Sequence, residues 1–100
     1  MKAFLVLYHG PATPPDASHE GWPEWFQALG RRLVDMGSPM TDRFVVRSDG
    51  TTSDDAASFN GYSIVRAADR EEALAALRSH PFLRGGDGYT IQVFEVPAKG

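Results

Sequence analysis

The stretch that decides the fold is GYSIVRAADREEALAALRSHPFL, residues 61–83. Its first part, residues 61–67, places Tyr62 and Ile64 on one side and alternate residues on the other, which is typical of a β-strand. Asp69 is followed three residues later by Glu72, a spacing that predicts a capping box at the start of a helix. Pro81 ends that helix, because the residue before a proline is pushed out of helical geometry. The stretch therefore predicts a strand followed directly by a helix.

The N-terminal run AFLVLY, Ala3 to Tyr8, is continuously apolar and rich in residues that favour strands. Gly10 and Pro11 follow the run and close it. A short apolar run of this kind favours a strand buried on both faces. We therefore expect this strand to be central in its sheet.

A helical pattern follows between Trp22 and Met36. Pro23 suits a first helical position, where its missing N–H has no intrahelical partner to lose. Gly37 fits the left-handed position just past a helix end. The apolar residues form one helical stripe: Trp22, Trp25, Phe26, Leu29, Leu33 and Met36.

Two more strands complete the predicted order. DRFVVRS, Asp42 to Ser48, is interpreted as the second strand and is followed by a polar loop that reaches Asn60. YTIQVFEV, Tyr89 to Val96, alternates well enough to be the fourth strand. The fold class is therefore α+β, in the ferredoxin-like order β-α-β-β-α-β. We expect a four-stranded antiparallel sheet with two helices on one face.

The composition fits a single domain over residues 1–100. The net charge is −3 and no lysine or arginine cluster occurs, which argues against a nucleic-acid partner. The chain has no cysteine, so disulfide and thiolate chemistry are excluded. The N-terminal apolar run is far shorter than the about 20 residues that span a bilayer. We therefore expect no membrane contact and a cytoplasmic location.

The sheet face opposite the helices is expected to be covered by another protein surface. An antiparallel sheet with one face in water should alternate apolar and polar residues. Neither parity of the first or last predicted strand is cleanly polar. A second copy of the chain is a simple cover, because twofold dimers are the commonest oligomers. The strand pattern therefore predicts a homodimer.

Three pieces of the chain resemble the YCII-related domain proteins: MKAFLVLYHG at the start, NGYSIVRAADREEALAALRSHPFL in the middle and GGDGYTIQVFEVP at the end. The similarity covers nearly the whole chain and is weakest between Ala12 and Glu20. It implies a ferredoxin-like protomer that pairs into a dimeric α–β barrel, with a pocket beside the sheet. Some relatives resemble enzymes of aromatic ring breakdown that eliminate chloride or isomerise, using a histidine and a nearby aspartate.

The resemblance also implies where such a pair would lie in this chain. The relatives' histidine lies near the start of the first helix, a place that His19 roughly occupies. Their aspartate precedes a proline–aromatic pair at the end of the second helix. Here His80 stands at that position, before Pro81 and Phe82. The carboxylate of the pair is therefore replaced, which favours a chemistry different from that of the relatives.

Three histidines are candidate catalytic residues: His80, His9 and His19. His80 extends the apolar face of the second helix, so it either lines a pocket as an acid–base group or caps the helix end structurally. His9 ends the first strand next to a loop, where site residues are common. It is alternatively a capping or interface residue. His19 is a candidate mainly through the resemblance.

Four other residues are candidate ligand contacts: Tyr8, Trp22, Trp25 and Ser63. Aromatic side chains with a few polar groups are typical of small-molecule pockets. Core packing is the alternative for Trp25 and its neighbour Phe26. The isolated histidines and loop aspartates show no metal-ligand spacing, so no metal or cofactor is expected.

Two functional hypotheses follow from these residues. In the first, a cytoplasmic homodimer binds a small, aromatic or acidic metabolite, and any catalysis is cofactor-free lyase or isomerase proton transfer by a histidine. In the second, the chain is a non-catalytic accessory or interaction module whose sheet face serves only dimerisation. The hypotheses differ in whether two histidines point into one cavity.

Overall fold

The structure is a computed structural model, and it describes residues 1–10, 21–86 and 88–97. It is an α+β structure with two α-helices and two antiparallel sheets. The helices are α1 (Trp22–Leu29) and α2 (Arg70–Leu77), with short 3₁₀ turns at Gly30–Arg32 and Pro81–Gly85. The strands are β1 (Lys2–His9), β2 (Leu33–Pro39), β3 (Val45–Val46), β4 (Thr52–Ser53), β5 (Gly61–Ala67) and β6 (Thr90–Val96).

The main sheet has four antiparallel strands in the order β2-β5-β1-β6. The prediction that the first strand is central is confirmed, because β1 pairs with β5 on one side and β6 on the other. Phe4 lies opposite Val65 on β5 and opposite Glu95 on β6. The register fixes which side chains share a face, since alternate residues of a strand point the same way.

One side of this sheet, here called the covered face, packs against both helices. On β1 and β5 it carries Phe4, Val6, Tyr8, Ser63, Val65 and Ala67, all buried. Trp25 of α1 and Ala73 and Leu77 of α2 belong to the same core cluster. The other side, here called the open face, carries the alternate residues of β1, β5 and β6. Its apolar or aromatic members include Leu5, Leu7, Tyr62, Ile64, Phe94 and Val96, and its polar members are His9, Arg66, Thr90 and Gln92.

The predicted length of the first helix is wrong. The helix ends at Leu29 because Gly30 adopts φ +56°, outside helical geometry. Leu33 still packs against the core, but it does so from β2. Met36 also lies on β2 and is 61% exposed. The helical stripe therefore ends four residues before Leu33.

The predicted second strand is also displaced. The main sheet uses Leu33–Pro39 in that place, whereas Val45 and Val46 form only a two-residue strand paired with β4. Gly37 does not follow a helix but lies in an irregular stretch of β2 at φ +79°. A Cβ at this position would collide with the carbonyl oxygen of Tyr62 on the neighbouring strand. Glycine is therefore needed here for a close strand approach.

The stretch over residues 61–83 folds as the sequence predicts. The strand covers Gly61–Ala67, and Asp69 caps α2 by accepting a hydrogen bond from the backbone N–H of Glu72 at 2.9 Å. The helix ends at Leu77, ahead of Pro81. This local order places His80 beside β1 on the covered face.

Candidate functional site

A chain of buried polar side chains crosses the covered face where Tyr8 lies. The hydroxyl of Tyr8 is 2.6 Å from Oγ of Ser63 and 2.8 Å from Nε2 of His80. Ser63 donates to the backbone carbonyl of Met36 at 2.8 Å. Nδ1 of His80 accepts the backbone N–H of Phe82 at 3.0 Å. Three elements of the main sheet and the turn at Pro81 are thereby joined through side chains.

These contacts fix the direction of every hydrogen bond in the chain. An imidazole nitrogen that accepts an N–H carries no proton, so in neutral His80 the proton is on Nε2. Nε2–H then donates to the Tyr8 oxygen, and Tyr8 donates to Ser63. The chain ends at the Met36 carbonyl, which can only accept. Each proton therefore has one acceptor, and the arrangement is fully satisfied.

Aromatic rings enclose His80, which is 1% exposed. Its ring centroid lies 4.1 Å from that of Trp25, 4.6 Å from that of Trp22 and 4.9 Å from that of Tyr8. Burial lowers the pKa of His80 from 6.5 to about 4, because the charged imidazolium would lose its hydration. The ring is therefore neutral at physiological pH.

Burial acts in the opposite sense on Tyr8, which is an acid. It raises the pKa of Tyr8 from 10.0 to about 12, and the hydrogen bond between Tyr8 and Ser63 offsets only part of that rise. Tyr8 and His80 are thus both held in their neutral forms. A group poised to exchange protons near pH 7 would need a pKa closer to that value.

The structure brings together four of the predicted site residues, namely Tyr8, Ser63, Trp25 and His80, with Trp22 packed alongside. Of the two interpretations of His80, the geometry favours the structural one, although in a different form. The ring does not bond a carbonyl of α2 but caps the following 3₁₀ turn, by accepting the N–H of Phe82. The role of Trp25 is similar, since its Nε1 donates to Oγ of Ser79 at 3.2 Å.

The other two histidines do not join this cluster in the described part of the chain. His9 is exposed and has the parity of the open face, so it points away from His80. Its ring lies 6.0 Å from that of Phe59. His19 lies outside the described residues. Within those residues, no two histidines point into one cavity.

A separate groove of about 840 Å³ runs between α2 and the edge strand β6. This volume is within the about 300–1,000 Å³ of small-molecule sites. The lining is mostly apolar, with four polar residues: Phe4, Ala73, Leu74, Leu77, Leu83, Tyr89, Ile91 and Val93, with Arg70, Arg78, Thr90 and Glu95. The predicted site residues are not among them.

The sequence does not predict the groove, because the charges of DREEALAALR are also typical of a solvated helix face. A second stripe of residues on α2 is the sequence feature that could have indicated the groove. Arg70, Leu74 and Arg78 recur every four residues, next to the core stripe of α2. On β6 the alternation of Ile91, Val93 and Glu95 marks the facing side.

Within residues 1–10, 21–86 and 88–97, no group of three or more metal-ligating side chains converges. The helices in these ranges all lack the length and apolar character needed to cross a bilayer. Comparisons of the chain with protein-family models, with curated proteins and with solved structures find no match.

Proposed function

We propose that this chain is a cytoplasmic homodimer of the YCII-related type that binds a small metabolite beside its sheet, in the groove between α2 and β6. The observation that carries the proposal is the groove itself. It has the volume of a ligand site, apolar walls and a few charged groups at its margins. In this proposal the Tyr8–Ser63–His80 chain stabilises the protomer and does not contact the ligand.

The strand order supports the family assignment. Counting only the strands of the main sheet, β2-β5-β1-β6 is the order 2-3-1-4. Two helices packed on one side of such a sheet correspond to a ferredoxin-like protomer. The pairing of two protomers into an α–β barrel is part of the same proposal.

The open face supports the homodimer. Phe94 is 50% exposed and Val96 is 46% exposed, beside the partly buried Leu5, Leu7 and Ile64. A second copy placed on this face would remove these apolar side chains from water.

A second candidate function is a non-catalytic interaction module with no ligand. The hydrogen bonds of His80 favour this module over a histidine-based lyase or isomerase, because both ring nitrogens already have partners within the protein. Proton transfer by these histidines therefore has little geometric support among the described residues. The groove distinguishes the two remaining candidates, since only a metabolite-binding protein needs it.

A thermal-shift screen against metabolites tests the proposal. A ligand at about 100 times its Kd adds about 2.7 kcal/mol to the free energy of unfolding. For a domain of this size that corresponds to an increase in Tm of roughly 10 °C or more. Val93→Trp fills the groove and should abolish the response, whereas Phe94→Trp, on the other side of the same strand, should retain it.

Two outcomes would count against the proposal. A broad library without any hit favours the interaction module. A hit that survives Val93→Trp but is lost in Phe94→Trp places the ligand on the open face instead of in the groove.

A further inference from the structure

We propose that the groove between α2 and β6 takes an elongated apolar or aromatic molecule with one anionic group, and that Arg78 binds that group. This inference rests on the proposed function, because it names the class of ligand for the same groove. Three features of the lining carry it: the length of its apolar walls, its local charge and the position of that charge.

The walls are apolar over the length of α2. Leu74 and Leu77 contribute from the helix, and Ile91 and Val93 contribute from the strand. Arg70 and Arg78 are eight residues apart on the helix, which corresponds to about 12 Å along its axis. Leu74 and Val93 are 37% and 39% exposed, so apolar surface remains open to a ligand. A compact polar metabolite would leave these walls in water.

The groove is positive although the chain is negative. Two arginines and one glutamate line it, in a chain whose net charge is −3. Glu95 already has a cationic partner, since its carboxylate lies 3.5 Å from Nζ of Lys2. In the described ranges no ion pair includes Arg78. The electrostatic balance therefore favours an anionic ligand over a cationic one.

The strand register shows at which end the anion binds. β5 ends at Ala67, shortly before α2 begins at Arg70, and Ala67 lies opposite Lys2 at the start of β1. Glu95 lies opposite Phe4, near the same end of β1. Arg70 therefore shares its end of the groove with Glu95. The other end of α2 is tied to Tyr8 through His80, and Tyr8 lies opposite Ile91.

Arg78 therefore faces the end that holds Ile91 and no lining carboxylate. A guanidinium matches the paired oxygens of a carboxylate or sulfonate. The far end holds the Glu95 carboxylate as well as Arg70, so only the Arg78 end offers a cation without a lining carboxylate, and the fit is to a single anionic group.

Two fluorescent probes with one aromatic skeleton test this assignment. Anilinonaphthalene sulfonate carries one anionic group, and phenylnaphthylamine is the same skeleton without it. The wild-type chain should bind the sulfonate about fivefold more tightly, the size expected of one partly solvated ion pair. Arg78→Gln should remove that difference and leave the affinity for the neutral probe unchanged. Arg70→Gln is the matched control and should preserve the preference.

Different failures identify different errors. If the wild type binds both probes equally, or if Arg78→Gln weakens both alike, the assignment of the anion to Arg78 is wrong, while the groove remains a binding site. If Val93→Trp leaves both probes bound and Phe94→Trp abolishes them, the groove is not the site and the proposed function fails as well. The expected result is loss of both probes in Val93→Trp and retention in Phe94→Trp.

Discussion

Both faces of the main sheet carry several apolar side chains, but the two faces have different surroundings. On β1, Phe4 and Val6 are 4% and 0% exposed under the helices, whereas Leu5 and Leu7, one residue along, are only partly buried. The face under the helices is also the one that holds the polar Tyr8–Ser63–His80 chain. Hydrophobicity alone therefore does not identify which face forms the core of the protomer. The comparison indicates that one face stabilises the protomer, and the proposed second copy would cover the other.

The largest expected effect contrasts a phenylalanine on each face. Phe4→Ala should reduce the free energy of unfolding by about 3–5 kcal/mol, because it leaves a cavity in the core. Phe94→Ala, at a site that is 50% exposed, should cost the isolated protomer less than about 1 kcal/mol. Urea unfolding at several protein concentrations measures both variants. Only the Phe94 variant should alter how stability depends on concentration, and equal losses in the two variants would contradict the comparison.

The pH dependence of the free energy of unfolding tests whether His80 is buried in its neutral form on the covered face. The pKa of His80 is lowered from 6.5 to about 4 on folding, so between these values the unfolded chain binds a proton that the folded chain does not. The contribution of neutral His80 to the free energy of unfolding is therefore fully present above about pH 6.5. It falls by about 3 kcal/mol as the pH drops to about 4.

The control for this prediction replaces one histidine on each face. His80→Asn keeps an acceptor for the Phe82 N–H and should flatten the profile over this range. His9→Gln, on the open side, should leave the wild-type slope in place. Denaturant unfolding at half-unit pH steps measures the free energy of unfolding as a function of pH. A pH dependence that persists in His80→Asn would show that His80 does not cause it.

A smaller effect is expected from removing one hydroxyl on each face. Tyr8→Phe leaves the Nε2–H of His80 buried without an acceptor, which should cost about 1–3 kcal/mol. Tyr62→Phe removes the same atom from the partly buried open face, where the described residues offer its hydroxyl no hydrogen bond. Its cost should stay within about 0.5 kcal/mol. Equal costs in thermal unfolding would mean that the buried chain adds nothing to stability.

The stretch that the sequence predicted best is residues 61–83, because its signals are local. The alternation over β5, the Asp69 cap and Pro81 each act within a few residues. The end of α1 was mispredicted because Leu33 fits a helical stripe as well as a strand. The choice between them depends on Gly30, whose positive φ becomes evident only in the folded chain.

The site was predictable only in part, for the same physical reason. The sequence singled out Tyr8, Ser63 and His80, but it could not show that they bond one another across separations of 55 and 72 residues. The Met36 carbonyl that completes their chain lies in the irregular part of β2 next to Gly37, which no sequence pattern marks. The groove was missed because its width depends on how far α2 lies from β6, which no local pattern encodes.

The mass of the chain in solution tests most directly the claim that the open face binds a second copy. Sedimentation equilibrium of the wild type at micromolar concentration should give about 22 kDa, twice the 10.9 kDa of one chain. Phe94→Ser should shift the equilibrium towards the monomer, whereas Val93→Ser, one residue away on the other side of β6, should not. A wild-type mass of 10.9 kDa at tens of micromolar would contradict the account.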